Sequence, residues 1–298
     1  MTDITLLDGS IGQEIVKRSG VAATPLWSTS VMMEMPGIVG EVHKDYFNAG
    51  ATIATTNTYA IHRDRLEPVG MADKLTGLID CALHEATDAR AAHGSGRIAG
   101  SLGPLGASYR PDIAVPMELA APAFADLVAL MAPRVDLFII ETAASVHQAH
   151  TALEGCRDAG KPVWLAVTVD DSDGTRLRSG EPLSDLTPLV TGYAPEAVLI
   201  NCSRPEVVAA GLDQLKPLGI PFGAYANGFT KISDAFLQDR PTADSLEQRT
   251  DLGPKAYADF AMGWVAQGAT IVGGCCEVGP DHITELAARL HTAGHRIV

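Results

Sequence analysis

The sequence predicts one α/β domain, residues 1–298, folded as a single (β/α)8 TIM barrel. Three observations point there. Eight short apolar runs alternate with longer segments of helical spacing from one end to the other. The runs are nearly continuous rather than alternating, as parallel strands read when helices cover the sheet. A length of 298 residues suits one barrel, which takes about 250, and no low-complexity linker marks a second domain. A doubly wound sheet is the rival, but the β-then-α units run past six.

The elements follow in order. Thr5–Asp8 is the first strand run. Pro36 to Ala49 is helical, with Ile38, Val39, Val42, Tyr46 and Phe47 at helical spacing and Gly50 as C-cap residue. Thr52–Thr58 is the second run, and the longer helical pattern Ala72 to His93 leads to the third, Arg97–Leu102. Leu137–Glu141 precedes a helix over Ser145–Ala159 that stops at Gly160. Val163–Val169 and Ala197–Cys202 are the fifth and sixth runs. The next helix, Pro205–Leu218, has proline in its first turn, where the missing N–H is not needed. Pro221–Tyr225 and Thr270–Gly274 complete the eight, with helices over Pro254–Gln267 and Asp281–His291. The stretch from Asn227 to Gly253 is too long for an ordinary barrel loop. A loop covering substrate is the expectation, and a plain insertion the other reading.

Charge narrows the partners. The chain carries 22 Lys+Arg against 36 Asp+Glu, a net −14, which disfavours nucleic acid or an anionic membrane. No apolar stretch approaches the ~20 residues of a membrane span. The N-terminal segment lacks a basic n-region and an apolar h-region. Five cysteines without disulfide-scaffold spacing suit a reducing compartment, so the expected location is the cytoplasm. Small molecules are the expected partners, with a homo-oligomer left open.

In such a barrel, chemistry gathers at the C-terminal strand ends. Those ends carry Asp8; Asn57 and Tyr59; Ser101; Glu141; Asp170; Asn201 and Cys202; Asn227; and Cys275 with Cys276. Asp8 and Glu141 are candidates to hold a cationic amino group. Asp8 also fits a turn cap, and Glu141 a structural pair with Arg110. Cys202, Cys275 and Cys276 converge from two strand ends as three thiolates, a zinc site with one position open. The vicinal pair also fits a redox device, although Cys-x-x-Cys spacing is absent. Cys81 and Cys156 fall in helical patterns and read as small buried hydrophobes. His43, His84, His147 and His150 are expected at the surface or half-buried.

The sequence resembles the homocysteine S-methyltransferases along essentially its whole length. The likeness is carried by Leu7-Asp-Gly-Ser-Ile-Gly-Gln-Glu14, Thr55-Thr-Asn-Thr-Tyr59, Gly100-Ser-Leu-Gly-Pro-Leu-Gly106, Glu141-Thr142 with Ser145, Ile200-Asn-Cys202, and Gly273-Gly-Cys-Cys276 followed by Pro280-Asp-His-Ile283. Asn-Cys combined with Gly-Gly-Cys-Cys is the most specific part. The resemblance implies a homocysteine-binding barrel that uses Zn2+ to methylate the thiol of homocysteine, giving methionine. Cys202, Cys275 and Cys276 match the zinc ligands of the family. Asp8 and Glu141 match its homocysteine-binding acids. Asn227 matches the region that supplies a fourth ligand in some relatives. Asn57 and Ser101 join the expected substrate-binding set, with Trp27 and Tyr59 as aromatic contacts for a cationic methyl donor. An S-methylmethionine-like sulfonium is the favoured donor, because Ala60 and Thr142 stand where betaine-using relatives place other cage aromatics. Ser10 and Glu277-Val278 depart from the small residue and the Gly-Thr common at those places. Another donor, another thiol acceptor, or a non-catalytic zinc- or thiol-binding barrel are the alternatives.

Overall fold

The computed structural model describes residues 1–20, 26, 28–230 and 248–298. Its sheet contains the eight expected strands: β1 Asp3–Leu6, β2 Ile53–Thr55, β3 Arg97–Leu102, β4 Leu137–Ala143, β5 Val163–Val167, β6 Ala197–Asn201, β7 Phe222–Tyr225 and β8 Ile271–Val272. All neighbours pair in parallel, from β2 through β8 to β1. The ring closes where Leu7 bridges Ile53 and where Thr52 N donates to Leu6 O at 2.7 Å. A ninth strand, β9 Arg296–Ile297, was not expected from the sequence. It is two residues long and lies beside β1, held by an Arg296–Asp3 ion pair and by Val298 N donating to Ile4 O at 3.0 Å.

Two apolar layers hold the barrel. One lies between sheet and helices and includes Leu6, Phe138, Ile140, Val198 and Trp264. The other fills the interior with Leu7, Ile53, Ala99, Leu137, Ile139, Trp164, Leu199, Tyr225 and Ile271. Strand side chains alternate between faces, so residues two apart share one. Parity therefore carries the interior positions onward to Thr55, Ser101, Glu141 and Asn201 at the strand tops. The polar floor of the site is the last turn of the barrel interior.

Six expected helices are present, among them Ile38–Asn48, Leu75–His93 and Val146–Gly155. Ser145 caps the last of these, its Oγ accepting from Gln148 N at 3.2 Å. The helices Ile11–Ser19, Ser28–Glu34, Met117–Met131 and Thr187–Tyr193 were not singled out in sequence. Met117–Met131 contains Pro122, which hides a helical pattern. The expectation for His43 is corrected: it is fully buried, neither ring nitrogen has a protein partner, and burial lowers its pKa to about 4. Of the long stretch after β7, residues 231–247 lie outside the described residues, and with them most of the expected covering loop.

Candidate active site

The strand tops surround an open cleft of about 850 Å³, part of it solvent space, lined by Asp8, Asn57, Tyr59, Ser101, Glu141, Cys202, Cys275 and Cys276 among others. The expected polar ring is thus largely assembled. Asp170 is an exception: its Oδ1 accepts from Ser172 N and Asp173 N, so it closes its own turn. Trp27 lies outside the described residues.

At one end stand the two acids. Asp8 is almost fully buried, with Oδ2 accepting from Thr55 N at 2.6 Å and Oδ1 from Thr55 Oγ1 at 2.9 Å. Burial raises its pKa to about 8 despite both bonds, and Glu141 adds like-charge repulsion. Glu141 does not pair with Arg110, whose partner is Asp112. Its Oε2 accepts from Ser101 Oγ, and its Oε1 accepts from Tyr225 Oη at 2.8 Å. Burial pushes this carboxyl up as well, against those two donors. Tyr225 was missed as a site residue because it ends an apolar run; its parity with the strand-top acids was the available signal.

At the other end are the thiols. The Sγ atoms of Cys202, Cys275 and Cys276 all lie within 4.8 Å of one another. Those of Cys202 and Cys275 are in direct contact, close enough for a disulfide. Cys276 is half-buried, and desolvation pushes its thiol up to about 12. Among the described residues no histidine, carboxylate or further cysteine joins the group. The thiol turn needs Gly273 and Gly274: a Cβ on the first would collide with Leu7, and on the second with Val278. The segment after β7 braces it, with Cys275 N donating to Ala226 O at 2.9 Å and Gly228 N to Cys276 O at 2.8 Å. Asn227 sits between those two braces. It is buried, and its Oδ1 accepts from Phe229 N at 3.4 Å.

The rest of the rim is fixed by polar pairs. Asn57 Oδ1 accepts from Ser28 Oγ at 2.6 Å. Tyr59 Oη and Ser108 Oγ share a hydrogen bond of 2.6 Å, and the Arg65 guanidinium lies 5.7 Å from the centre of the Tyr59 ring. Tyr109 and Phe229 pack on the thiols, and Arg178 stands 4.9 Å from the centre of the Tyr109 ring. Among the described residues five non-glycine residues have positive φ, and Tyr109, Thr142 and Cys202 of these line the cleft, while Glu277 follows Cys276. Such conformations cluster where function over-determines the backbone. Thr142 shows how one is held: Asn201 Oδ1 accepts from its N–H, and Asn201 Nδ2 donates to its Oγ1, both at 3.0 Å.

Comparison with known proteins agrees with this geometry. The family described as homocysteine S-methyltransferase matches residues 5–290. A homocysteine S-methyltransferase of Escherichia coli is 31% identical, covering 96% of this chain and 95% of the relative. The crystal structure of the E. coli homocysteine methyltransferase MmuM in a metallated form superposes with a TM-score of 0.81 at 29% identity, covering 97% and 96% of the two chains. Its oxidised form gives 0.80 over 96% of each.

Proposed function

Because the chain belongs to the homocysteine S-methyltransferase family, we propose that its cleft brings homocysteine, held at both ends, against a small sulfonium donor of the S-methylmethionine type. The enzyme transfers a methyl group to the homocysteine thiol, giving methionine. The observation that carries the fuller reading is the cleft itself: two carboxyls at one end and three convergent thiols at the other.

The thiol triad fits zinc. Three sulfurs within 4.8 Å offer soft donors to one ion, and the cleft supplies the remaining side. Zinc bound there supplies the positive charge that stabilises a substrate thiolate at neutral pH, where a free thiol with a pKa near ~8.5 is mostly protonated. Cys202, Cys275 and Cys276 are the residues that would hold it, with Asn227 buried beside the thiol turn. Asp8 and Glu141 accept the substrate ammonium, and Asp8, whose pKa burial raises to about 8, gives up its own proton as it does so. Thr55, Ser101 and Tyr225 aim the carboxyl oxygens. Asn57 and Ser101 border the amino-acid end.

In the transfer, the substrate sulfur forms a bond to the methyl carbon as the carbon–sulfur bond of the donor breaks. The leaving group keeps the electron pair and departs as a neutral thioether, which makes a sulfonium a good donor. The preference for a sulfonium over betaine rests on Ala60 and Thr142, which line the cleft where further aromatics would be needed to cage a quaternary ammonium. A donor panel with purified, zinc-loaded protein tests the reading. Methionine should form faster from S-methylmethionine than from betaine; the reverse order would overturn the donor assignment, and no methionine from any donor would overturn the thiol-methylation reading.

A further inference from the structure

We propose that Gln13 and Glu277 form a clip that positions the vicinal thiols, fixing the Cys275–Cys276 turn relative to the loop that carries Asp8. The proposal rests on the reading of the thiol triad as a metal site. Gln13 lies in the first turn of the helix Ile11–Ser19, and Glu277 immediately follows Cys276. Their side chains meet across 264 residues. Gln13 Nε2 donates to Glu277 Oε1 at 2.6 Å, and Glu277 N donates to Gln13 Oε1 at 2.6 Å. Ser10 Oγ donates to the same Oε1 at 2.9 Å. Both ends of one amide are used, and exchanging its O and N would set an NH2 against the Glu277 N–H and an oxygen against the Glu277 carboxylate, losing both bonds to Glu277.

The backbone shows what the clip secures. Glu277 has φ 63°, a left-handed conformation unusual for a glutamate. That turn directs its N–H at Gln13 while the carbonyl of Cys276 accepts from Gly228 N. Two further bonds run beside it: Gly274 N to Asp8 O at 2.9 Å and Ser10 N to Val278 O at 3.0 Å. Segments 8–13 and 274–278 are therefore knitted together, with the Asp8 carboxyl on one and two thiols on the other. Gln13 and Glu277 make the side-chain latch of that seam. The barrel does not need this latch, since β1 already pairs with β8. Gln13 and Glu277 are positioning residues, acting on metal and substrate through the thiol turn.

The test measures zinc affinity by competition with a chromophoric chelator, alongside the melting temperature of metal-free protein. Gln13→Ala and Glu277→Gly should each bind zinc about 10- to 100-fold more weakly, the loss typical when a partner orienting a ligand shell is removed. Glu277→Gly also relieves the left-handed strain, so its metal-free melting temperature should not fall. Glu277→Gln keeps an acceptor for Gln13 and should remain close to the parent. The double variant Gln13→Ala/Glu277→Gly should be no weaker than either single one. Variants that bind zinc as tightly as a zinc-binding parent would overturn the clip. A metal-free melting temperature that falls for both Gln13→Ala and Glu277→Gly would assign the pair to stability instead. A parent that fails to bind zinc would overturn the metal reading beneath it.

Discussion

Tyr225 donates its phenol hydrogen to Glu141 Oε1 at 2.8 Å, joining the top of β7 to the top of β4 across the barrel. Hydrogen bonds to a charged group contribute about 1.5–3 kcal/mol. Tyr225→Phe should therefore raise KM for homocysteine about tenfold, equivalent to ~1.4 kcal/mol, while zinc content stays at the parent level. Steady-state kinetics with metal analysis checks this; an unchanged KM would remove Tyr225 from the site.

Asp8→Asn and Glu141→Gln remove the charge that would meet the substrate ammonium. Each should weaken homocysteine use by roughly 1.5–3 kcal/mol, the worth of a charge-assisted hydrogen bond, without loss of zinc. Zinc loss in either variant would place the carboxyl at the metal instead.

Stability should depend on pH through Asp8. Its pKa rises from 3.8 to about 8 on folding, so the folded state keeps a proton that the unfolded chain has released. Over that window the folded state binds more protons, and stability falls as pH rises. Asp8→Asn removes this contribution, and its melting temperature should decline less between pH 4 and 8. An equal or steeper decline would show that the Asp8 carboxyl is not destabilised by its burial. The same protonation bears on binding. Homocysteine should release more than one proton into solution, one from its thiol and a further share from Asp8, whose pKa stands at about 8. Calorimetry in buffers of different ionisation heat measures the number.

Cys202→Ala, Cys275→Ala and Cys276→Ala should each lower zinc occupancy and abolish methyl transfer while leaving the barrel folded, because the core is supplied by the strands and helices. Cys202 has φ 47°, so Cys202→Gly should be more stable than Cys202→Ala by about 1 kcal/mol. Circular dichroism melts and metal analysis read both effects. Outright unfolding of the alanine variants would make the site structural.

Much of this was legible in the sequence. The thiols could be placed because Cys202 and Cys275-Cys276 end apolar runs, and runs in parallel sheets deliver their ends to one face. Asp8 and Glu141 followed by the same logic. Tyr225 did not, because a tyrosine closing a strand reads as core until its neighbours across the barrel are known. Thr142, Gln13 and Glu277 were hidden for a different reason. Their roles depend on bonds over 59 and 264 residues, which no local pattern encodes. The helix Met117–Met131 was obscured by Pro122, a residue that usually ends helices.

The opening strand has a consequence for how the protein is made. β1 pairs with β8 and β9, and its seam with β2 is held by the Leu7–Ile53 bridge and the Thr52 N to Leu6 O bond. A chain leaving the ribosome N-terminus first has no full partner for Asp3–Leu6 until Ile271 has emerged. Pairings this distant in sequence form slowly and leave strand edges exposed while they wait. Asp8 rides on that strand, and two of the three thiols come after Ile271. The catalytic cleft thus cannot be completed until the eighth strand has emerged, and a chain truncated before Ile271 lacks two of the three thiols.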